Sequence, residues 1–448
     1  MVKHTKRDNE KIKIEKTKKI SIIEGGLASV SGGVGNSYIA PFAIAMNATN
    51  QQIAWLSSFP NLLSTFFQLF STKAIEKYGR KKVILNSVLF ELLMWLPMIF
   101  SGYLFLQGVS WAINAFIIFF TFYAIFGGFA GPAWNSLMGD VIEEKSRGVY
   151  FAKRNIICGI ISLISSLIAA LFLDFMRQKN IFLGFTILFG TAFFFRIASR
   201  ELLKKYYDKK IKFSKDYYFS FIQYIKKAKD NNFGRFTIYL MIMHFACAIA
   251  SPFFAVYMLK ELGFSYIFFI GTGIVSSIVS FIAMKFWGEK TDKFGNVKIL
   301  SLNAFLVAMV PLLWSFSTNK WYLLFIPQII SGIGWAGFNL AAGNFIYDAV
   351  TRQRRSLCIS YNNFMSGVGV FFGAMIGGLL TKVNIGMKPI LVVFIVSSIL
   401  RFFAGMLLLK IKEVRKVEHK PIFNLELSKY NPVYMVQRFI APLAGFRI

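Results

Sequence analysis

Residues 72–82 read Thr-Lys-Ala-Ile-Glu-Lys-Tyr-Gly-Arg-Lys-Lys, and residues 288–298 read Gly-Glu-Lys-Thr-Asp-Lys-Phe-Gly-Asn-Val-Lys. Each stretch sets an acid, Glu76 or Asp292, shortly before a glycine, Gly79 or Gly295, and surrounds both with cations. A tight turn with positive φ is made at least cost by glycine. On either side of each stretch the chain turns apolar for the ~20 residues that a helix needs to cross a bilayer.

Worked outward from these two loops, the chain offers twelve such stretches, at 20–45, 53–72, 83–104, 111–137, 154–173, 181–199, 234–258, 265–287, 298–316, 321–346, 357–381 and 389–410. The composition agrees: 56% of the 448 residues are hydrophobic and only 16% charged, against about 25% charged in a soluble domain. The expected fold class is therefore an all-α polytopic membrane protein. The net charge of +30 would by itself suggest a nucleic-acid partner. Its placement says otherwise. Arg177, Lys179, Lys260, Lys320, Lys382 and Lys388 fall in loops on one side and Arg401 falls inside a span. All the other Lys and Arg residues fall on the side of the two quoted loops. That bias sets both termini in the cytoplasm, facing anionic lipid at the inner leaflet, and leaves no nucleic acid to account for. The basic N-terminus runs into an apolar stretch without a small-residue cleavage site, so it does not read as a removable signal. Cys158, Cys247 and Cys358 are scattered, so no disulfide framework, metal site or cofactor is expected.

The expected organisation is a basic tail at 1–19, a six-helix bundle at 20–200, a linker at 201–233, a second six-helix bundle at 234–410, and a tail at 411–448. The linker has a lysine-rich run followed by alternating aromatic and basic residues over 216–229, which reads as an amphipathic helix on the membrane surface. The halves repeat. Pro41-Phe42 matches Pro252-Phe253, Gly79 matches Gly295, Asn135 with Gly139 matches Asn339 with Gly343, and Arg147 with Asn155 matches Arg354 with Asn362, all in order and at nearly constant spacing. Parallel repeats of this kind place a binding site between the halves near the bilayer midplane.

The two quoted loops resemble the cytoplasmic signature of the major facilitator superfamily, G-x-x-x-D-[RK]-x-G-R-[RK]-[RK]. The first copy departs at Thr72 and Glu76 and the second at Asn296. The segment Trp134–Asp140 followed by Arg147–Asn155 is similar to a subgroup of prokaryotic facilitators. The resemblance covers about residues 20–410 and implies two pseudo-symmetric bundles with a central cavity lined by spans one, four, seven and ten. On those spans the expected substrate contacts are Asn36, Tyr38, Trp134, Asn135, His244, Tyr257, Trp335 and Asn339. Amides of Asn135 and Asn339 would face each other across the pseudo-two-fold axis, offering donors and acceptors. Helix-to-helix hydrogen bonding is the competing reading for that pair. Glu76, Gly79, Arg80, Asp292 and Gly295 are expected to form a cytoplasmic gate.

Ionisable groups inside spans call for explanation, because each costs about 2.5–3.5 kcal/mol at a helix centre. Glu24 in span one, Glu91 in span three and His244 in span seven are candidates for proton coupling, and Arg401 in span twelve for pairing or snorkelling. Glu24 is expected near the cytoplasmic end, where water reaches it, with Arg147 or Arg154 as partner. Small residues, among them the pair Gly373 and Gly377, permit close helix approach. No nucleotide-binding motif is present. The expected activity is secondary transport of a small solute by a monomer in the plasma membrane, with proton coupling and uniport both open. A sensor or assembly partner on the same fold is the alternative, ahead of a polytopic enzyme.

Overall fold

The computed structural model of the protein describes residues 2–143, 146–208, 220–351, 354–384, 386–415 and 417. In the first half, α1 (Val2–Val34) passes through a 3-10 turn at Asn36–Tyr38 into α2 (Ile39–Ala45). Then come α3 (Asn50–Gln68), α4 (Ser71–Tyr78), α5 (Arg80–Leu93), α6 (Trp95–Leu106), α7 (Ala112–Val141), α8 (Arg147–Arg177) and α9 (Ile181–Leu203). After α10 (Phe221–Lys226) the second half runs through α11 (Asn232–Ala250), α12 (Phe253–Val256) with a π turn at Tyr257–Glu261, α13 (Tyr266–Phe294), α14 (Asn296–Ser315), α15 (Lys320–Ala349), α16 (Arg355–Leu380) and α17 (Pro389–Met406). No strand occurs among the described residues.

Each of the twelve expected stretches falls on helix. Ten helical segments are long and apolar enough to cross a membrane by length and composition. The two that fall short have readable causes. In α1 the basic residues of the N-terminus continue directly into the apolar part, and α3 carries Gln51, Gln52, Asn61 and Gln68 among its apolar positions. Residues 1–19, expected to be a separate tail, are for the most part the first turns of α1. Of the amphipathic helix expected over 216–229, the described portion is the short α10, opened by a capping box between Ser220 and Gln223. Residues 418–448 of the expected C-terminal tail lie outside the described residues.

Both quoted loops are sharp helix-to-helix turns. Gly79 (φ 83°) and Gly295 (φ 87°) stand between α4 and α5 and between α13 and α14, in backbone that L residues other than glycine rarely adopt. These turns mark what is here called the inner end of the bundle.

The halves meet along two seams. On one, α3 packs against α16, with Phe59 on Phe371 (centroids 5.5 Å apart) and Phe66 on Phe364 (5.7 Å). On the other, α8 packs against α13, where Gly159 faces Phe281. Within the second half α11 and α16 come closest, because Gly369, Gly373 and Gly377 of α16 lie against the backbone carbonyls of Met241, Phe245 and Ile249. Towards the outer end one hydrophobic core runs through both halves, from Phe42, Trp95 and Phe189 to Phe253, Tyr257 and Phe394. Towards the inner end it divides into a core of the first half around Val88, Leu137 and Met138 and another of the second half around Phe236, Phe338 and Phe345.

Candidate functional site

The acids inside the first half belong to one hydrogen-bonded network. Glu91 on α5 accepts from Nη2 of Arg196 on α9 at 2.8 Å. Nη1 of Arg196 donates to Ser199 Oγ at 3.3 Å, and Ser199 Oγ donates to Glu24 Oε1 at 2.8 Å. The second oxygen of Glu24 accepts from the Tyr206 hydroxyl at 3.0 Å and lies 3.5 Å from Arg154 Nη2. Two carboxylates thus meet two guanidinium groups in an interior where an unmatched charge would be costly. Glu24 is 4% exposed and Glu91 6%, so the water access expected for Glu24 is not found, because Tyr206, Ser199 and Arg154 cover it. Arg154 is the cation that meets Glu24; Arg147 instead caps the end of α7, donating to Gly139 O at 2.5 Å. Burial and the neighbouring Glu24 push the Tyr206 hydroxyl well above the usual phenol range, so it donates rather than ionises. The Tyr123 hydroxyl lies beside both Asn36 and Glu91, which links this network to the 3-10 break in span one.

Sequence reasoning placed Arg196 in an inner loop. It stands instead well within α9, at the position that corresponds in the repeat to Arg401 of α17. That correspondence was the available signal. In the second half the guanidinium of Arg401, 3% exposed, donates to Ser397 Oγ (3.1 Å), Val307 O (3.0 Å) and Cys247 O (3.2 Å). It makes no ion pair with any described residue.

The expected cavity residues separate into two groups. Asn36, Asn135 and Asn339 are exposed, and neither Asn135 nor Asn339 has a hydrogen-bond partner among the described residues. No hydrogen bond, ion pair or ring contact joins α7 to α15 among the described residues. His244 is half-buried; its Nδ1 bonds Leu240 O at 2.7 Å, leaving Nε2 free of a described partner. Trp335 is half-buried against Phe338. Trp134 is half-buried, with the Arg154 guanidinium 4.4 Å from its ring centroid, so it props the Glu24 network. Tyr38 and Tyr257 are corrections: both are fully buried. The Tyr38 hydroxyl donates to Ser166 O at 2.5 Å, and the Tyr257 ring packs against Trp314 and Phe394. Their apolar rings went into the outer core that joins the halves.

At the inner end the signature residues bind within their own halves. Arg80 is buried, donating to Asp140 (2.6 Å), Asp208 (2.7 Å) and Ser136 O (3.0 Å). Asp208, just beyond α9, also accepts the backbone N–H of Lys81 at 3.3 Å. The second half repeats the device with different residues. Asp348 accepts from Asn296 (2.7 Å) and from Arg415 (2.6 Å), and Glu413, just beyond α17, accepts the N–H of Val297 at 2.8 Å. Asp208 and Glu413 therefore cap α5 and α14 at equivalent places. Among the described residues Asp292 reaches only Arg415, at 3.1 Å, and Glu76 is exposed with no partner. The counterpart of Arg147 is Arg355 rather than Arg354: it donates to Tyr347 O (3.0 Å) at the end of α15, as Arg147 does at the end of α7.

At the outer end Asp174 joins the halves. From α8 its carboxylate accepts the N–H groups of Tyr266 (2.8 Å) and Ile267 (2.9 Å), the first two of α13, whose third, that of Phe268, is held by the N-cap Ser265. Arg177 adds a bond to Phe264 O at 3.3 Å, beside a cavity of about 220 Å³ lined by Ile44, Ala45 and Leu259.

Comparison with known proteins agrees with this fold. The family model of the Major Facilitator Superfamily matches residues 25–288 and 236–446. Among curated proteins, the multidrug resistance protein MdtG of Escherichia fergusonii is 28% identical over 207 residues, covering 44% of this chain and 49% of that protein. MdtG of Salmonella choleraesuis is 28% identical over 179 residues, covering 38% of this chain and 43% of its own. The chain thus matches about half the length of these relatives. Among solved structures, a bacterial homologue of the iron transporter ferroportin in an inward-facing state superposes with a TM-score of 0.69 at 11% identity, over 88% of this chain and 98% of the other. A D-xylose–proton symporter superposes with a TM-score of 0.66 at 13% identity, over 91% of this chain and 100% of the other. At such identities the likeness is one of fold.

Proposed function

This chain belongs to the Major Facilitator Superfamily, and on that premise we propose that it is a secondary transporter moving a small solute by alternating access, here in the form open at its inner end. The observation that carries the reading is the asymmetry of the core: one joined core and the Asp174 contact at the outer end, against a core for each half at the inner end, with Asn135 and Asn339 exposed and without hydrogen-bond partners among the described residues. A solute entering there would meet amides from both halves, and closing the inner end around it would require the outer contacts to part. The basic bias of the inner loops supports placing that end, and both termini, in the cytoplasm, with anionic lipid of the plasma membrane against it. The name of the curated relatives directs the first ligand screen to amphipathic antimicrobial compounds.

Uptake or efflux in proteoliposomes tests the proposal, and no flux of any screened compound that raises the protein's thermal stability would favour the sensor reading instead. Replacing Asn135 and Asn339 by Ala is expected to weaken solute binding while folded yield stays the same; a fall in yield would assign the pair to helix packing. For proton coupling the candidates are Glu24 and Glu91, which share one network, and His244. Coupling predicts accumulation that depends on an imposed pH gradient, and equal accumulation with and without the gradient would exclude it.

A further inference from the structure

On the flank of the first half, with no lining residue from the second, lies a cavity of about 440 Å³ at the inner end. Lys81 and Lys82 of α5 and Arg200 of α9 line it together with Tyr78, Asn86 and one carboxylate, Asp208. That carboxylate is already engaged by Arg80 and the Lys81 amide. Lys82 is exposed and has no hydrogen-bond partner among the described residues, its ammonium lying only near the Tyr78 ring. Arg200 spends Nε on Leu85 O at 3.0 Å, and Nη1 lies 3.6 Å from Glu201, which leaves Nη2 available. The cavity is therefore cationic beyond what its own acid satisfies, and it suits an oxyanion.

The surface above it is of the opposite character. Lys82, Asn86, Phe90 and Leu93 follow one another along the same face of α5, all exposed. Phe90 lies about 12 Å beyond Lys82 at 1.5 Å per residue. A cationic cavity at the foot of an exposed apolar face fits a molecule with a phosphate at one end and a chain at the other.

We propose that this cavity binds the phosphate of an anionic phospholipid, with Lys82 and Arg200 on the phosphate, Lys81 beside them with its ammonium on Tyr206 O at 2.9 Å, and the acyl chain along Phe90 and Leu93. The proposal rests on the reading that this end of the bundle meets the inner leaflet. Free inorganic phosphate shares the headgroup chemistry but would leave the apolar face unused.

The test uses the full-length protein in phosphatidylcholine micelles carrying phosphatidylglycerol with a photoreactive group on its acyl chain. Cross-links are expected on the peptide containing Phe90 and Leu93. The same label on phosphatidylcholine should give far fewer, and excess inorganic phosphate should not remove them. The pair Lys82→Gln and Arg200→Gln should reduce labelling about 25-fold, roughly fivefold per cation. If that pair does not fold, Lys82→Gln alone, at an exposed position without hydrogen bonds, should show the single fivefold loss. Equal labelling from both lipids, or labelling unchanged in a folded variant, overturns the proposal. Displacement by inorganic phosphate also overturns it and makes the cavity a free-anion pocket. The underlying topology is read separately: Lys77→Cys, with Cys158, Cys247 and Cys358 replaced, should resist a membrane-impermeant maleimide applied to intact cells. Labelling there would sink the inner-leaflet reading without touching the cross-link result.

Discussion

Glu91 and Arg196 meet at 2.8 Å inside the first half, whereas the corresponding Arg401 of the second half meets the backbone carbonyl of Val307. Val307 stands as far past Gly295 as Glu91 stands past Gly79, so the repeat has kept the cation and changed the group that answers it. A guanidinium can be held by carbonyls alone because its planar fork presents five donors. A carboxylate in the middle of a span lacks that recourse, because the backbone N–H groups around it are already spent within helices. Glu91→Gln should therefore cost about 3–5 kcal/mol by stranding Arg196. Glu91→Leu combined with Arg196→Met should recover most of that, as measured by thermal unfolding in detergent; an equal loss in both would contradict the pairing. Of this arrangement Glu24, Glu91 and Arg401 were legible in the sequence, since each is a charge in an apolar run. Arg196 was not, because it lies near the end of an apolar run and passes for the start of the basic linker. The joining hydroxyls of Ser199 and Tyr206 carry no pattern of their own. Tyr38 and Tyr257 misled for a related reason: a phenol on a cavity-forming span looks the same in sequence whether its face turns to the cavity or to the core.

Among the elements, the α11–α16 pair rests on three glycines, and its tolerance to substitution follows from what a side chain would meet. A Cβ at Gly373 would run into the carbonyl of Phe245. Gly373→Val is thus expected to cost at least about 3 kcal/mol through overpacking. Gly343 on α15 has open space around it, and Gly343→Ala should be neutral or stabilise by up to about 1 kcal/mol. Folded yield from size-exclusion profiles distinguishes the two, and equal tolerance would mean that the helices can move apart freely. The spacing of Gly373 and Gly377 made this contact readable in advance, though not which helix would fill the groove. The ten helical segments long and apolar enough to cross a membrane were readable for a simpler reason: hydrophobic length is a property of one segment alone. The fusion of the basic N-terminus into α1 was not, because charged residues are good helix formers and hydropathy cannot tell a helical tail from a coiled one.

For the whole molecule, the balance between its two openings depends on what is broken at each end. Asp174 makes two charge-assisted bonds from one half to the first turn of a helix in the other. Loss of such a cap costs about 1 kcal/mol, roughly a fivefold change in population. Asp174→Ala should therefore favour the outward-open form. In a background lacking the native cysteines, a cysteine at Ala45, which lines the outer seam cavity, should react about fivefold faster with a thiol reagent added from outside. An unchanged rate would mean that the apolar core alone holds the outer end. In the sequence Asp174 is one acid at the end of an apolar run, and nothing local announces that a helix from the distant half begins beside it.

The fastening of α5 by Asp208 and of α14 by Glu413 bears on where the chain can be shortened. Glu413 comes after the last apolar helix, in a stretch that hydropathy alone would assign to a dispensable tail, yet it holds the turn at Gly295 and the amide of Val297. A chain ending at 410 would keep every span and lose the clasp on α14 together with Arg415, the bridge to Asp292 and Asp348. Among the described residues the bundle therefore extends at least to Arg415, several residues beyond the point at which the last span ends.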